Sequence, residues 1–247
     1  MLNKPIQIII LCFITLLPLS AKEQIIIPTD DWPPFRITQN NTYSGIDFDL
    51  WKELAKRLNT QTEFKYYPWA RSLANMKNGT VDMMSGIAIK KERQKYIKYS
   101  SVPYYSCSPV FYTQKGLGKT IKNYKDLKPH LIGYVNNSIY FKKFDNDKTL
   151  KKRAVTNEKQ LLKMLALKRI KVIIGTDCQA DYEIKKSGFQ NMVEKTEFRP
   201  SKKLDLYIGV SKKSELINKM DEINQALKDI IDEGKIKEFA SKYYGNN

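Results

Sequence analysis

The sequence predicts an α/β fold built from two similar units. Strand-like runs alternate with helix-like runs along the chain, the pattern of α/β sheets. The order strand, helix, strand occurs twice. In each unit the second strand breaks at a small polar loop, Ser85-Gly86 in one and Gly175-Thr176-Asp177 in the other. Ligands of such sheets sit outside the carboxyl ends of the strands. Two units of this kind suggest two lobes whose loops face each other across a cleft. The chain has 247 residues, 42% hydrophobic and 11% aromatic, enough for one large domain or two modest ones with a sizeable core.

The N-terminus carries the three-part pattern of a secretory signal peptide. Lys4 supplies the positive region, residues 6–19 are apolar apart from Gln7, Thr15 and Pro18, and Ser20-Ala21 provide small residues before the polar Lys22-Glu23-Gln24. The apolar run is shorter than the roughly 20 residues that span a bilayer. Cleavage after Ala21 and a periplasmic location are expected. Cys12 lies inside the apolar run after Leu11, so lipidation is rejected.

The first unit begins with a β-branched strand at residues 24–28. Pro33 and Pro34 then forbid a regular element, which makes residues 29–35 a fixed loop. Asn40-Asn41 and Gly45 mark a turn. Residues 49–58 read as a helix, because Leu50, Leu54 and Leu58 share one face with Trp51 and Ala55 beside them. Asp47 or Asp49 is the expected cap. A strand follows at 63–67, a short helix at 69–77 stopped by Asn78-Gly79, and a strand at 81–84.

In the second unit, residues 131–135 form a strand ending at Asn136-Asn137-Ser138. Asn157 with Gln160 resembles a capping box and opens a helix with Leu161, Leu162, Met164 and Leu165 on its apolar face. Val172-Ile173-Ile174 is a strand. Leu216, Ile217, Met220, Ile223, Leu227, Ile230 and Ile231 recur at helical spacing; Gly234 interrupts the pattern, and Ile236, Phe239, Ala240 and Tyr243 resume it. This stripe is read as core.

Charge and sulfur narrow the function. There are 43 Lys+Arg against 26 Asp+Glu, a formal net charge of +17. The lysines are spread along the whole chain without an aromatic-interleaved basic tract, so a solvated surface is preferred to nucleic-acid binding. A single His, His130, and three Cys argue against a zinc site or a histidine triad, and no cofactor is expected. An oxidising compartment permits a disulfide between Cys107 and Cys178, but two separate buried thiols are the favoured expectation.

Several motifs occur in a fixed order. Gly45-Ile46-Asp47-Phe48-Asp49-Leu50, Gly79-Thr80-Val81-Asp82, Ile89-Lys90-Lys91-Glu92-Arg93 and Tyr99-Ser100-Ser101-Val102-Pro103-Tyr104-Tyr105 follow one another. Together they make the chain resemble the bacterial extracellular solute-binding proteins of family 3, the amino-acid type served by ABC importers. Pro68-Trp69-Ala70-Arg71 is similar to a Pro-Trp-x-Arg motif found in one subgroup. The resemblance implies the two-lobed (type II) periplasmic-binding-protein fold, with two hinge strands near residues 105–108 and 206–209. Lobe 1 is expected to hold residues 22–106 and 208–247, and lobe 2 residues 107–207.

The resemblance also implies site residues. Arg93 is expected to grip a ligand carboxylate and Asp177 to pair with the ligand ammonium. Trp32 and Trp69 are expected to sandwich the ligand. Ser85 and Gly86 are expected to bind it at the strand end, and Asn137, Ser138, Ile139 and Tyr140 from the lobe 2 loop. Ala88 and Ile139 stand where many members carry a hydroxyl, and Lys90 replaces a usual Thr. Arg71 is expected to compensate with a second positive charge in the cleft. The implied function is capture of a small polar ligand, an amino acid or related carboxylate, by a monomer that docks on importer permease subunits. Cyclohexadienyl dehydratases and ligand-presenting sensory proteins look like this family and are the alternatives.

Overall fold

The computed structural model describes residues 24–39, 42–200 and 202–245. The expected signal peptide and the Asn40-Asn41 turn lie outside the described residues. β1 (Gln24–Thr29) buries Ile25 and Ile27. A hairpin of β2 (Ile37–Gln39) and β3 (Thr42–Ser44) follows. α1 (Ile46–Arg57) buries Leu50, Trp51, Leu54 and Ala55, as their spacing predicts. Its N-cap is Gly45 rather than an aspartate; Asp47 is already the second helical residue and is fully buried. β4 (Gln61–Tyr66) runs parallel to β1. α2 (Trp69–Asn78) ends at Gly79, as expected.

β5 (Met83–Ile87) extends through Ser85-Gly86 instead of breaking there. Gly86 has φ +69°, and the pairing register of this strand shifts beside it, so the signal marked an irregularity inside a strand. β6 (Ile97–Tyr99) and β7 (Tyr105–Cys107) complete the outward half of the first lobe.

The second lobe holds β8 (Pro109–Gln114), β9 (Leu131–Val135), the short α3 (Lys142–Asn146), β10 (Lys151–Val155), α4 (Glu158–Ala166), β11 (Val172–Thr176), α5 (Asp177–Lys186) and β12 (Val193–Lys195). Its five strands are ordered β10-β9-β11-β8-β12. The three strands β10, β9 and β11 are parallel, and β8 runs against β11. Asn157 caps α4 through the Gln160 amide at 2.9 Å. The Gln160 side chain accepts from the Thr156 amide, one residue before the cap.

β13 (Leu204–Ser211) returns the chain. Its first half pairs with β7 and its second half with β5 and β6. β7 and β13 are therefore the two crossing strands between the lobes. α6 (Met220–Asp232) and α7 (Lys235–Tyr244) close the first lobe, separated at Gly234. Leu216 and Ile217 lie in a 3-10 turn ahead of α6 instead of inside it. The first-lobe core gathers β1, α1, β13 and both C-terminal helices, and a separate core fills the second lobe around Leu161, Leu162, Leu165 and Ile173.

Cys107 and Cys178 form a disulfide with Cα atoms 5.6 Å apart, which corrects the expectation of two separate thiols. Cys107 ends the crossing strand β7 and Cys178 is the second residue of α5, so the fold itself brings them within bonding range. The hydroxyl of Tyr244 donates to the Cys178 carbonyl at 2.7 Å, tying α7 to the same place. The bond closes a 71-residue separation. Cys178→Ser is expected to lower stability by about 2–4 kcal/mol in urea unfolding without reductant, with the difference vanishing in dithiothreitol.

Candidate functional site

The loop Thr29 to Arg36 is fixed by two backbone hydrogen bonds between Trp32 and Arg36, at 2.9 and 3.0 Å. This closure turns both side chains to the same side. The Trp32 ring stacks on Phe35 at 4.4 Å, and the Arg36 guanidinium lies 4.9 Å from the Trp32 ring centre. Arg36 is buried and doubly paired. Its Nε lies 2.8 Å from Asp30 Oδ1 and its Nη1 2.6 Å from Asp47 Oδ2. Burial by itself would lower the Arg36 pKa, but the charges of Asp30 and Asp47 outweigh it and raise the pKa.

Asp47 is fully buried and is the centre of a polar network. It accepts from Arg36, from the Ser85 hydroxyl at 2.8 Å and from the Tyr104 hydroxyl at 2.6 Å. Ser85 Oγ in turn accepts from the Trp51 indole N–H at 3.1 Å. Burial, and after it the Asp47 charge, pushes the Tyr104 hydroxyl well above its ordinary pKa, so it remains a donor.

In front of this network lies a cavity of about 70 Å³ between the lobes. The first lobe lines it with Asp30, Asp31, Trp32, Arg36, Trp69, Gly86, Ala88 and Arg93. The second lobe contributes Val135, Ser138, Ile139, Tyr140, Thr156, Asn157, Glu158 and Thr176, and the crossing strand adds Leu204 and Leu206.

Arg93 starts a 3-10 turn after β5 and is 5% exposed. It donates to the Ala88 carbonyl at 3.2 Å and, across the cleft, to the Asn137 carbonyl. The Trp69 indole N–H reaches the same Asn137 carbonyl at 3.4 Å. Among the described residues no carboxylate lies within ion-pair distance of Arg93. Burial lowers its pKa, the sign of a guanidinium short of counter-charge.

Glu158 is the complementary case. It is the first residue of α4, after the Asn157 cap, and is buried in the second lobe. Its carboxyl lies against Gly175, where a Cβ would come within 2.5 Å of Oε1. Among the described residues it has no hydrogen-bond or ion-pair partner, and burial pushes its pKa up to about 8. Tyr112 and Tyr140 are the titratable groups that feel its charge. Thr176 beside it has a buried hydroxyl without a partner. The cavity thus holds a cation-bearing group from one lobe and an acid from the other, neither with an ion-pair partner among the described residues.

The structure gathers Trp32, Trp69, Gly86, Ala88, Arg93, Ser138, Ile139 and Tyr140 around this cavity. Asn137 takes part through its backbone carbonyl. Three expected residues lie outside this lining. Ser85 is engaged behind the wall by Asp47 and Trp51. Arg71 has its guanidinium 5.7 Å from the Tyr67 ring centre. Asp177 also lies outside; its Oδ1 accepts from the Ser108 and Cys178 amides at 2.7 and 2.8 Å.

The sequence reading missed Arg36, Glu158 and Thr176. Thr176 is the last residue of β11, at the carboxyl end of the strand where the cavity lies, while Asp177 already belongs to α5. Glu158 had only the Asn157 cap to mark it.

The family model for bacterial extracellular solute-binding proteins, family 3, matches residues 25–246. The chain is 27% identical to the arginine-binding extracellular protein ArtP of Bacillus subtilis, covering 91% of this chain and 88% of that one. It is 24% identical to the L-cystine-binding protein TcyA of the same organism, over 87% of this chain and 79% of that one. Among solved structures, an ancestral arginine-binding protein bound to arginine superposes with a TM-score of 0.79 at 24% identity, covering 91% of this chain and 99% of that one; this likeness supports the two-lobed fold.

A carboxyl that protonates more readily folded than unfolded contributes stability at low pH that is lost as pH rises. For Glu158 the loss falls between its ordinary 4.5 and about 8. Ligand-free Glu158→Gln is therefore expected to be more stable than the wild type at pH 8 and similar at pH 4.5, read as the difference between their denaturation curves.

Proposed function

The chain belongs to the bacterial extracellular solute-binding proteins, family 3, and on that premise we propose that it captures a small zwitterion, an amino acid or close relative, for an ABC importer. The carrying observation is the pair Arg93 and Glu158, buried in one cavity, on opposite lobes, and without internal counter-charges. Arg93 offers a fork that fits a carboxylate with two parallel hydrogen bonds. Glu158 takes the ammonium, the role first assigned to Asp177. Trp32 and Trp69 flank the ligand, and Ser138 to Tyr140 approach it from the second lobe. Lobe 1 comprises residues 22–106 and 208–247 and lobe 2 residues 107–207, with residues 1–21 a cleaved export signal to the periplasm. The protein acts as a monomer.

Binding is favoured over catalysis by the state of the cavity carboxylates. Asp30 is tied to Arg36, and Asp31 accepts from the Thr38 amide at 3.0 Å. Among the described residues Glu158 has no hydrogen-bonded partner that would make it half of an acid–base pair. The names of ArtP and TcyA, an arginine-binding and an L-cystine-binding protein, support an amino-acid ligand.

Ligand at a hundredfold excess over Kd is expected to stabilise the protein by about 2.7 kcal/mol, seen as a rise in Tm. Arg93→Ala should abolish the shift; retained affinity would remove the carboxylate role. Ammonium binding ionises Glu158, so capture near neutral pH should release a proton. Calorimetry in buffers of different ionisation enthalpy detects that release, and Glu158→Gln should lose it. A panel of amino acids, amines and small acids without any shift would sink the reading.

A further inference from the structure

We propose that Arg36 is a specificity-determining residue: its guanidinium fills the acidic, indole-lined corner of the cleft, so the protein excludes ligands with cationic side chains and selects zwitterions with short, uncharged ones. The inference rests on the reading that Arg93 and Glu158 hold the zwitterionic end.

A cationic side chain is recognised by a carboxylate with free lone pairs and an aromatic face. Both occur at one end of this cavity, and both are already engaged by the chain itself. Asp30 Oδ1 accepts from Arg36 Nε and Nη2, each at 2.8 Å. Asp47 accepts from Nη1 at 2.6 Å, and the Trp32 ring lies 4.9 Å from Cζ. Asp31, the other acid here, spends Oδ1 on the Thr38 amide. A ligand guanidinium or ammonium entering this corner would find Asp30 and Asp47 already paired with the Arg36 guanidinium and would have to pack against that like charge to reach them.

Arg36 and Trp32 pack directly against the strand at Gly86. Its Nη1 lies where a Cβ on Gly86 would come within 2.8 Å, and the Trp32 ring would come within 3.0 Å of that same Cβ. A side chain at position 86 would push into both groups, so the glycine lets them pack against the strand. Asp30 and Asp47 keep the guanidinium charged despite its burial. The whole cavity, with its Arg93 and Glu158 ends included, is about 70 Å³, and Ala88, Ile139, Leu204 and Leu206 border it. A small amino acid with an uncharged side chain suits that space and lining. It sets the ligand apart from the arginine in the names of several proteins that the chain is similar to.

The test combines a ligand panel with a vacated corner. Calorimetry on the wild-type protein compares glycine, L-alanine and L-serine with L-arginine and L-lysine. At least one short uncharged amino acid is expected to bind more than about tenfold tighter than either basic one, a gap of about 1.4 kcal/mol. Arginine or lysine binding as tightly as the best of the others overturns the proposal. Arg36→Ala should gain affinity for L-arginine, and N-methylguanidine should raise its Tm without affecting the wild type. A folded Arg36→Ala that gains neither overturns the assignment of the corner. If Arg36→Ala does not fold, the wild-type panel decides alone. Failure of every amino acid to bind the wild type, with methylguanidine rescue intact, overturns the zwitterion reading while the corner assignment stands.

Discussion

The site depends on one buried carboxylate. Asp47 holds Arg36, Ser85 and Tyr104 at once, and through Ser85 it fixes Trp51. These residues come from the Trp32 loop, α1, the bulged strand β5 and the segment entering β7. Without the Asp47 carboxylate, the side chains of this wall would lose the one group that binds three of them at once. Breaking a buried pair by removing one partner typically costs about 3–5 kcal/mol, because the remaining charge is stranded. The network therefore makes the wall rigid in a specific arrangement: Gly86, Trp32 and Arg36 are positioned against one another before any ligand arrives.

The backbone of this arrangement was legible in the sequence because its signals are local. Leu50 and Leu54 announce a buried helical face, and Gly79 and Gly234 announce helix ends. Arg93, Trp32 and the Ser138 to Tyr140 loop were reached through the order of short motifs, and they line one cavity. What stayed hidden depends on contacts distant along the chain. Asp47 reads as a helix cap when only its neighbours are visible, yet its partners are 11, 38 and 57 positions away. Ser85 reads as a ligand-binding hydroxyl until Trp51 and Asp47 are found to use it from behind. The disulfide is of the same kind: nothing near Cys107 or Cys178 in sequence reports that a crossing strand and a helix start meet.

The acid in the second lobe shows how small a shift in register matters. Thr176 and Asp177 are adjacent, but they fall on either side of the boundary between β11 and α5. Thr176 ends the strand at the cavity, and a helix start turns its first side chain back toward backbone amides, so Asp177 is bound by N–H groups at the crossing between lobes. The acid that lines the cavity from the second lobe is Glu158, at the start of the neighbouring helix.

The interlobe contacts also indicate how a ligand would act on the molecule. Arg93 and Trp69 both donate to the Asn137 carbonyl, so one acceptor in the second lobe serves two donors of the first. Those contacts exist only while the lobes are together. A carbonyl carries no net charge, whereas a carboxylate can meet the guanidinium fork with two parallel hydrogen bonds and also neutralise it. A ligand carboxylate taking over the Arg93 fork would supply the counter-charge that the Asn137 carbonyl does not, and an ammonium would do the same for Glu158. Both gains require the lobes to be closed on the ligand. A ligand shifts a conformational equilibrium only by its differential affinity for the two states, and here that difference resides in two unsatisfied groups facing each other across a gap that closure completes.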